Sequence, residues 1–167
     1  KFVRGLRVTD KPSLDIAVAV LAGLVNKSLV ALLSANGCEA VGVSGVDAGM
    51  LQARLKDPKL GLVGRIIHVN SEPIKTLLDA GYMPVIAPLA VHVSEGMLDD
   101  EHVLNINADT AAGEIALSIG AEQLIFLTDV EGVLDTSRRL MPKLTQPQVK
   151  GLIYSRFNLI LKFHGCN

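Results

Sequence analysis

The apolar positions of the chain follow two periods in turn. From Leu14 they fall at Ala17, Val18, Leu21, Leu24 and Val25 and continue to Leu32 and Leu33, the three-to-four spacing of one helix face. Ser13 after Pro12 is the expected N-cap, with Asp15 in the first turn where the helix dipole favours an anion. Asn36-Gly37 is the expected stop, because glycine adopts the left-handed conformation that a Cβ disfavours. "AVGVSG" (40–45) then reads as a short buried strand. "MLQAR" and "GLVGRIIHVN" alternate apolar and polar residues as an antiparallel pair does. A second helix is predicted over 72–80, closed by Gly81, followed by the β-rich run "MPVIAPLAV" (83–91), in which Pro84 and Pro88 interrupt pairing. A third helix over 109–119 ends at Gly120, and "QLIFLTD" (123–129) is predicted as an apolar strand. Helices alternating with continuously apolar strands imply an α/β fold with a mainly parallel sheet covered on both faces.

Composition narrows the possibilities. The 167 residues are 49% hydrophobic and 20% charged, a globular balance for one domain. Aromatic residues make up 4% and Trp is absent, which argues against stacking platforms for single-stranded nucleic acid. Asn, Lys, Ser and Gly break the apolar runs before a membrane-spanning length of about 20 residues, so no membrane partner is expected. Cys38 and Cys166 make neither a metal-ligand spacing nor a disulfide framework, and they read as ordinary thiols of a cytoplasmic protein. Nothing resembles a signal peptide. Residues 136–167 hold six cations and no acid, leaving ten cations against 17 acids in residues 1–135. That basic end has no stripe of regular spacing, so no nucleic-acid partner is expected.

Familiar chemical motifs are missing. The chain has no GxxxxGK[ST] loop, and the glycines of "GVSGVDAG" (42–49) do not fit GxGxxG. His68, His92, His102 and His164 are scattered without metal-ligand spacing, so no metal site is expected. No Gly-x-Ser-x-Gly elbow occurs.

What stands out is "LNINADTAAGEIALSIGA" (104–121), where Asn105, Asn107 and Asp109 sit among apolar residues at a helix start. Half-buried polar groups cost free energy unless paired. Capping by Asn107 or Asp109 accounts for one of the three; a ligand accounts for all, since first-turn N–H groups form an anion site. In "GLRVTD" (5–10), Arg7 is suited either to a surface ion pair or to a bidentate grip on a carboxylate.

Together these segments resemble the acetylglutamate kinase family of the amino-acid kinase superfamily. The matching pieces are "FVRGLRVTD" (2–10), "LAGLVNKSLVALL" (21–33), "AVGVSGVDAGML" (40–51), "LLDAGYMPVIAPLA" (77–90), "LNINADTAAGEIALSIGAEQLIFLTDVEGVLD" (104–135) and "PKLT" (142–145). The resemblance implies a three-layer αβα sandwich like that of carbamate kinase, here incomplete. It implies an acceptor lobe over 1–121, the start of a nucleotide lobe over 122–153, and an anomalous tail over 154–167. It also implies phosphorylation of the γ-carboxylate of N-acetyl-L-glutamate by ATP with Mg²⁺ as its substrate complex, a step of arginine biosynthesis, with no tightly bound cofactor. Arg7 and Asn105 would bind the acceptor, and Asp109 would be the catalytic-site carboxylate that organises lysines. Asp129, Val130, Glu131, Gly132, Val133 and Leu134 would line the nucleotide. The long first helix would pair with a second copy in a homodimer or higher homo-oligomer.

Departures from the family pattern accompany the match. The Lys-x-Gly-Gly turn and the Gly-Gly-Met-x-x-Lys segment that contact phosphate are not in the chain, and Val46 and Ala48 stand where the family commonly has a lysine and a glycine. The expectation is a fragment with little or no kinase activity alone. Alternatives are a non-catalytic amino-acid-binding or subunit-pairing module of the same fold, another superfamily member, or a nicotinamide-dependent oxidoreductase.

Overall fold

The structure, a computed structural model, describes residues 2–3, 6–93, 102–127, 132–135 and 137–149. The chain divides into two units, Lys1–Leu124 and Ile125–Asn167. The tail 154–167 lies outside the described residues.

The first unit opens with β1 (Phe2–Val3) and β2 (Leu6–Arg7), paired antiparallel with Phe2 opposite Arg7. A continuous helix follows, α1 (Lys11–Ala35), whose central stretch Val18–Val25 is wound as a π-helix. The N-cap is Asp10 and not the expected Ser13: the Asp10 carboxylate accepts from the Ser13 amide at 2.9 Å. Pro12 explains the earlier start, because proline without an N–H is tolerated in the first helical turn.

Asn26, Lys27 and Ser28 do not interrupt the apolar run as expected. The helix continues through them, and it is long and apolar enough to cross a membrane by length and composition alone, with a mean hydropathy of 2.2 over an 18-residue window. Its polar residues show what it is attached to. Asn26 is buried and its Nδ2 donates to the carbonyls of Val43 at 3.1 Å and Val85 at 2.8 Å, while Lys27 Nζ donates to Gly42 O at 2.8 Å. One side of α1 is therefore bonded to a sheet, and the opposite side exposes Ile16, Leu24 and Leu32.

That sheet consists of β3 (Ala40–Ser44) and β6 (Met83–Ala87), parallel in register from Ala40↔Met83 to Ser44↔Ala87. The second sheet is ordered β5-β4-β7-β8, from β4 (Leu51–Leu55), β5 (Gly64–Val69), β7 (Leu89–His92) and β8 (Val103–Asn105). Its β4–β7 pairing is parallel and its β4–β5 and β7–β8 pairings are antiparallel. The run 83–91 is thus two strands in two sheets, parted at Pro88, which has no N–H to carry a ladder across. Its carbonyl instead accepts from the Ile106 amide at 2.9 Å, tying the junction to the segment after β8.

The remaining helices are α2 (Glu72–Asp79) and α3 (Ala108–Ile119). Gly37, Gly81 and Gly120 take positive φ after the helices, as expected of C-terminal stops. Leu51, Ala53, Ala90, Leu104, Ile106 and Ala111 form a core cluster between the second sheet and α3. Each buried leucine there contributes about 1.5–3 kcal/mol of transfer free energy. The small Ala111 lets the first turns of α3 lie against Leu104 and Ile106.

The strand expected over 123–129 is not formed among the described residues. Residues 123–127 have no ladder partner and are exposed, Leu127 almost fully. Apolarity marks such a segment as strand-prone, but a strand exists only where another edge pairs with it.

Candidate functional site

Asn105 ends β8, and its surroundings are built from the backbone outward. Its amide donates to Leu62 O at 3.0 Å, in a parallel bridge between Val63 and Asn105. Leu62 N in turn donates to Thr9 O at 2.7 Å, and Thr9 N donates to Leu60 O at 2.9 Å. Thr9 is therefore stitched to the turn 60–62, and that turn to the end of β8. Gly61 makes the close approach possible: its φ is +67°, and a Cβ there would lie 2.3 Å from Thr9 O.

The side chains complete this arrangement. Thr9 is buried at 2% exposure, and its Oγ1 accepts from Asn105 Nδ2 at 3.4 Å. Among the described residues this is the only hydrogen bond of the Asn105 side chain, so its Oδ1 and second N–H remain available. Both residues line a cavity of about 340 Å³. Ser13 adds a third polar group to its wall, and Ile16, Val20 and Leu21 of α1 make the wall's apolar part.

The other expected residues fall as follows. Asn107 is the N-cap of α3: its Oδ1 accepts from the Thr110 amide and hydroxyl, both at 2.9 Å, so capping is satisfied without Asp109. Asp109 is exposed in the first turn of α3, with no ion pair or hydrogen bond among the described residues. Arg7 lies in β2, two residues before Thr9; its side chain lies outside the described residues. Thr9 is the residue that sequence reasoning missed, although a β-branched hydroxyl residue inside "GLRVTD" was the available signal.

In "SGVDAG", Ser44 donates to Asp47 Oδ2 through its amide at 2.6 Å and its hydroxyl at 2.9 Å. Ala48 takes a φ of +50°, a conformation glycine adopts at no steric cost, and its carbonyl accepts from Asn70 Nδ2. The loop keeps a glycine-type backbone without the glycine.

In the second unit, Asp129, Val130 and Glu131 lie outside the described residues. Gly132, Val133 and Leu134 are half-buried, and Leu134 bridges antiparallel to Leu140. The turn between them is closed by Asp135, whose Oδ1 accepts from the amides of Ser137 and Arg139 and whose Oδ2 accepts from Arg139 Nε at 3.0 Å. The Arg139 amide, with help from its guanidinium, holds the Asp135 carboxyl below its ordinary pKa. No group of three His, Cys, Asp or Glu side chains suited to a metal ion occurs among the described residues.

Known proteins give this geometry a context. Acetylglutamate kinase of Methanopyrus kandleri is 51% identical over 142 residues, covering 81% of this chain and 55% of that protein. Acetylglutamate kinase of Geobacillus kaustophilus is 53% identical over 135 residues, covering 80% of this chain and 50% of that protein. The chain thus spans about half the length of the curated relatives it matches. Among solved structures, one from Streptococcus mutans UA159 superposes with a TM-score of 0.76 at 30% identity, covering 93% of this chain and 61% of that one. N-acetylglutamate synthase from Neisseria gonorrhoeae, complexed with coenzyme A and N-acetyl-glutamate, superposes with a TM-score of 0.74 at 28% identity, covering 92% of this chain and 34% of that one. The amino acid kinase family model matches residues 1–155, and with these α/β elements in place the chain belongs to the amino acid kinase family.

Proposed function

We propose that the protein carries the acceptor half of an acetylglutamate kinase, which transfers the γ-phosphoryl group of ATP to the γ-carboxylate of N-acetyl-L-glutamate. The observation that carries this reading is the half-buried Asn105 amide, with hydrogen-bonding capacity left over, on a cavity shared with the "GLRVTD" segment. Arg7 would grip the acceptor's α-carboxylate bidentately, and Asn105 would hydrogen-bond the same molecule. The acceptor carboxylate is already ionised at neutral pH, so no general base is required. Catalysis then consists of aligning two anions and neutralising charge on the transferring group. An exposed carboxylate at the start of α3 suits such a scheme as a positioner of cations, which is the role assigned to Asp109. MgATP is the second substrate, lined by residues 129–134. We place the reaction in the cytoplasm, as a step of arginine biosynthesis, in a homo-oligomer formed through the exposed apolar side of α1.

A second reading is favoured by one observation: residues 1–167 contain neither Lys-x-Gly-Gly nor Gly-Gly-Met-x-x-Lys. A polypeptide of this sequence would bind the amino acid without transferring phosphate. Two measurements on the purified 167-residue chain test both readings. Calorimetry with N-acetyl-L-glutamate is expected to show binding without nucleotide, and its absence would remove the acceptor assignment. ADP release in the presence of acetylglutamate and MgATP is expected to be negligible; a robust rate would remove the second reading.

A further inference from the structure

Thr9 has no part in the reading above, yet it is one of three buried polar residues among those described, with Asn26 and Ser44. Three features fix its hydroxyl in space. Its backbone N–H and C=O are both bonded, to Leu60 and Leu62, so the main chain cannot rotate freely. Its side chain is β-branched and therefore restricted at χ1. It is 2% exposed, so solvent does not compete for the hydroxyl. The same Leu62 whose amide is bonded by Thr9 accepts the backbone N–H of Asn105.

We propose that Thr9 is a positioning residue for the acceptor site: its fixed hydroxyl orients the Asn105 side-chain amide, so that the remaining N–H and carbonyl oxygen are presented to a carboxylate- and amide-bearing ligand in the cavity. A hydroxyl can accept from an amide N–H or donate to an amide oxygen, so what the bond to Thr9 fixes is the plane of the Asn105 amide, one edge held toward Thr9 and the other left toward the cavity. At 3.4 Å the Asn105–Thr9 bond is long, so what it supplies is orientation more than strength. Among the described residues no other group holds the Asn105 side chain. Thr9 does not itself touch the reacting atoms in this scheme; it acts through Asn105. The inference rests on the acceptor reading and adds to it a residue that governs how tightly, and in which pose, the acceptor is held.

The test is a titration of the full 167-residue chain with N-acetyl-L-glutamate by calorimetry, comparing wild type, Thr9→Val and Thr9→Ser, with thermal melting of each. Valine keeps the branched shape and removes the hydroxyl; serine keeps the hydroxyl. The expected result is a loss of affinity of roughly fivefold to tenfold in Thr9→Val, the size of one neutral hydrogen bond, and recovery to within about twofold in Thr9→Ser. If Thr9→Val binds like wild type, whatever its melting temperature, the positioning role is overturned and the acceptor reading stands. If both variants weaken equally, the site responds to any change of this side chain and not to the hydroxyl in particular, and the inference is overturned. If wild type itself does not bind, the acceptor reading fails and takes the inference with it. Should Thr9→Val not fold, Thr9→Ala removes the same hydroxyl and is titrated in its place, with the same outcomes.

Discussion

Gly42 of β3 passes so close beneath α1 that a Cβ on it would lie 2.0 Å from Asn26 Oδ1. The contact is the counterpart of the hydrogen bonds that Asn26 makes to Val43 and Val85 on the two strands of that sheet. A buried asparagine can reach both carbonyls only if the helix sits low on the sheet, and only glycine leaves room for it to do so. Lys27 Nζ and Val30 Cγ2 close the same space at 2.7 and 2.9 Å. Gly42→Ala is therefore expected to destabilise the fold by about 1–3 kcal/mol through overpacking. Denaturant unfolding measures this. The double variant Gly42→Ala/Asn26→Ala should lose less than the sum of its parts, because removing the amide vacates the space the methyl needs. Strict additivity would show that the two residues do not oppose each other.

Acid stability gives a second expectation, from Asp10. Hydrogen bonds from the Ser13 hydroxyl and amide hold the Asp10 carboxyl below its ordinary pKa. The native state therefore binds this proton less readily than the unfolded chain does. Its stabilisation is complete above the unfolded value of about 3.9 and is lost as pH falls through the lower folded value. Asp10→Asn keeps a competent N-cap but removes the titration. Melting temperature followed from pH 6 to pH 3 should therefore fall less steeply in Asp10→Asn than in wild type. An identical slope would remove Asp10 from the acid response.

Much of this fold can be read locally. The helix over 11–35, its stop at Gly37, the antiparallel β4–β5 pair and the cap by Asn107 each depend on residues close together in sequence. The rest depends on partners distant in sequence. Nothing within 83–91 says that the two sides of Pro88 belong to different sheets, and that assignment is made by β3 and β4, more than thirty residues upstream. The strand expected at 123–129 lacks a ladder partner among the described residues, which local apolarity could not reveal. The same distinction divides the candidate site. Asn105 and Asp109 drew notice as polar residues in apolar company, but Thr9 gained its importance only when folding carried it 96 positions in sequence to Asn105.

The exposed side of α1 yields a third expectation. Leu24 and Leu32, which do not line the cavity of Thr9 and Asn105, are 72% and 61% exposed. Exposed apolar patches of this kind mark interaction surfaces, and the proposed homo-oligomer would cover this one. Leu24→Glu/Leu32→Glu should convert a dimer to a monomer in sedimentation, with no greater loss of monomer stability than exposed substitutions usually cause, about 0.5 kcal/mol. A wild-type protein that is monomeric at high micromolar concentration would exclude the pairing surface.

Asn105 and Asp109 lie four residues apart and should respond to different ligands. Asn105 is half-buried on the cavity with unspent hydrogen-bonding capacity, so Asn105→Ala removes groups the acceptor would use and leaves Thr9 without its partner. The expected loss of N-acetyl-L-glutamate affinity is at least tenfold, on the order of one charge-assisted hydrogen bond to a carboxylate. Asp109 is exposed at the start of α3 and is assigned to cations on the phosphoryl side. Asp109→Asn should leave acetylglutamate affinity unchanged, or slightly raise it, because it removes a negative charge near an anionic ligand. Folding stability should fall by no more than about 1 kcal/mol, the worth of one carboxylate at a helix N-terminus. Calorimetry of the two variants side by side decides between the roles. Equal weakening by both would place Asp109 in the acceptor pocket and withdraw its assignment to the phosphoryl side.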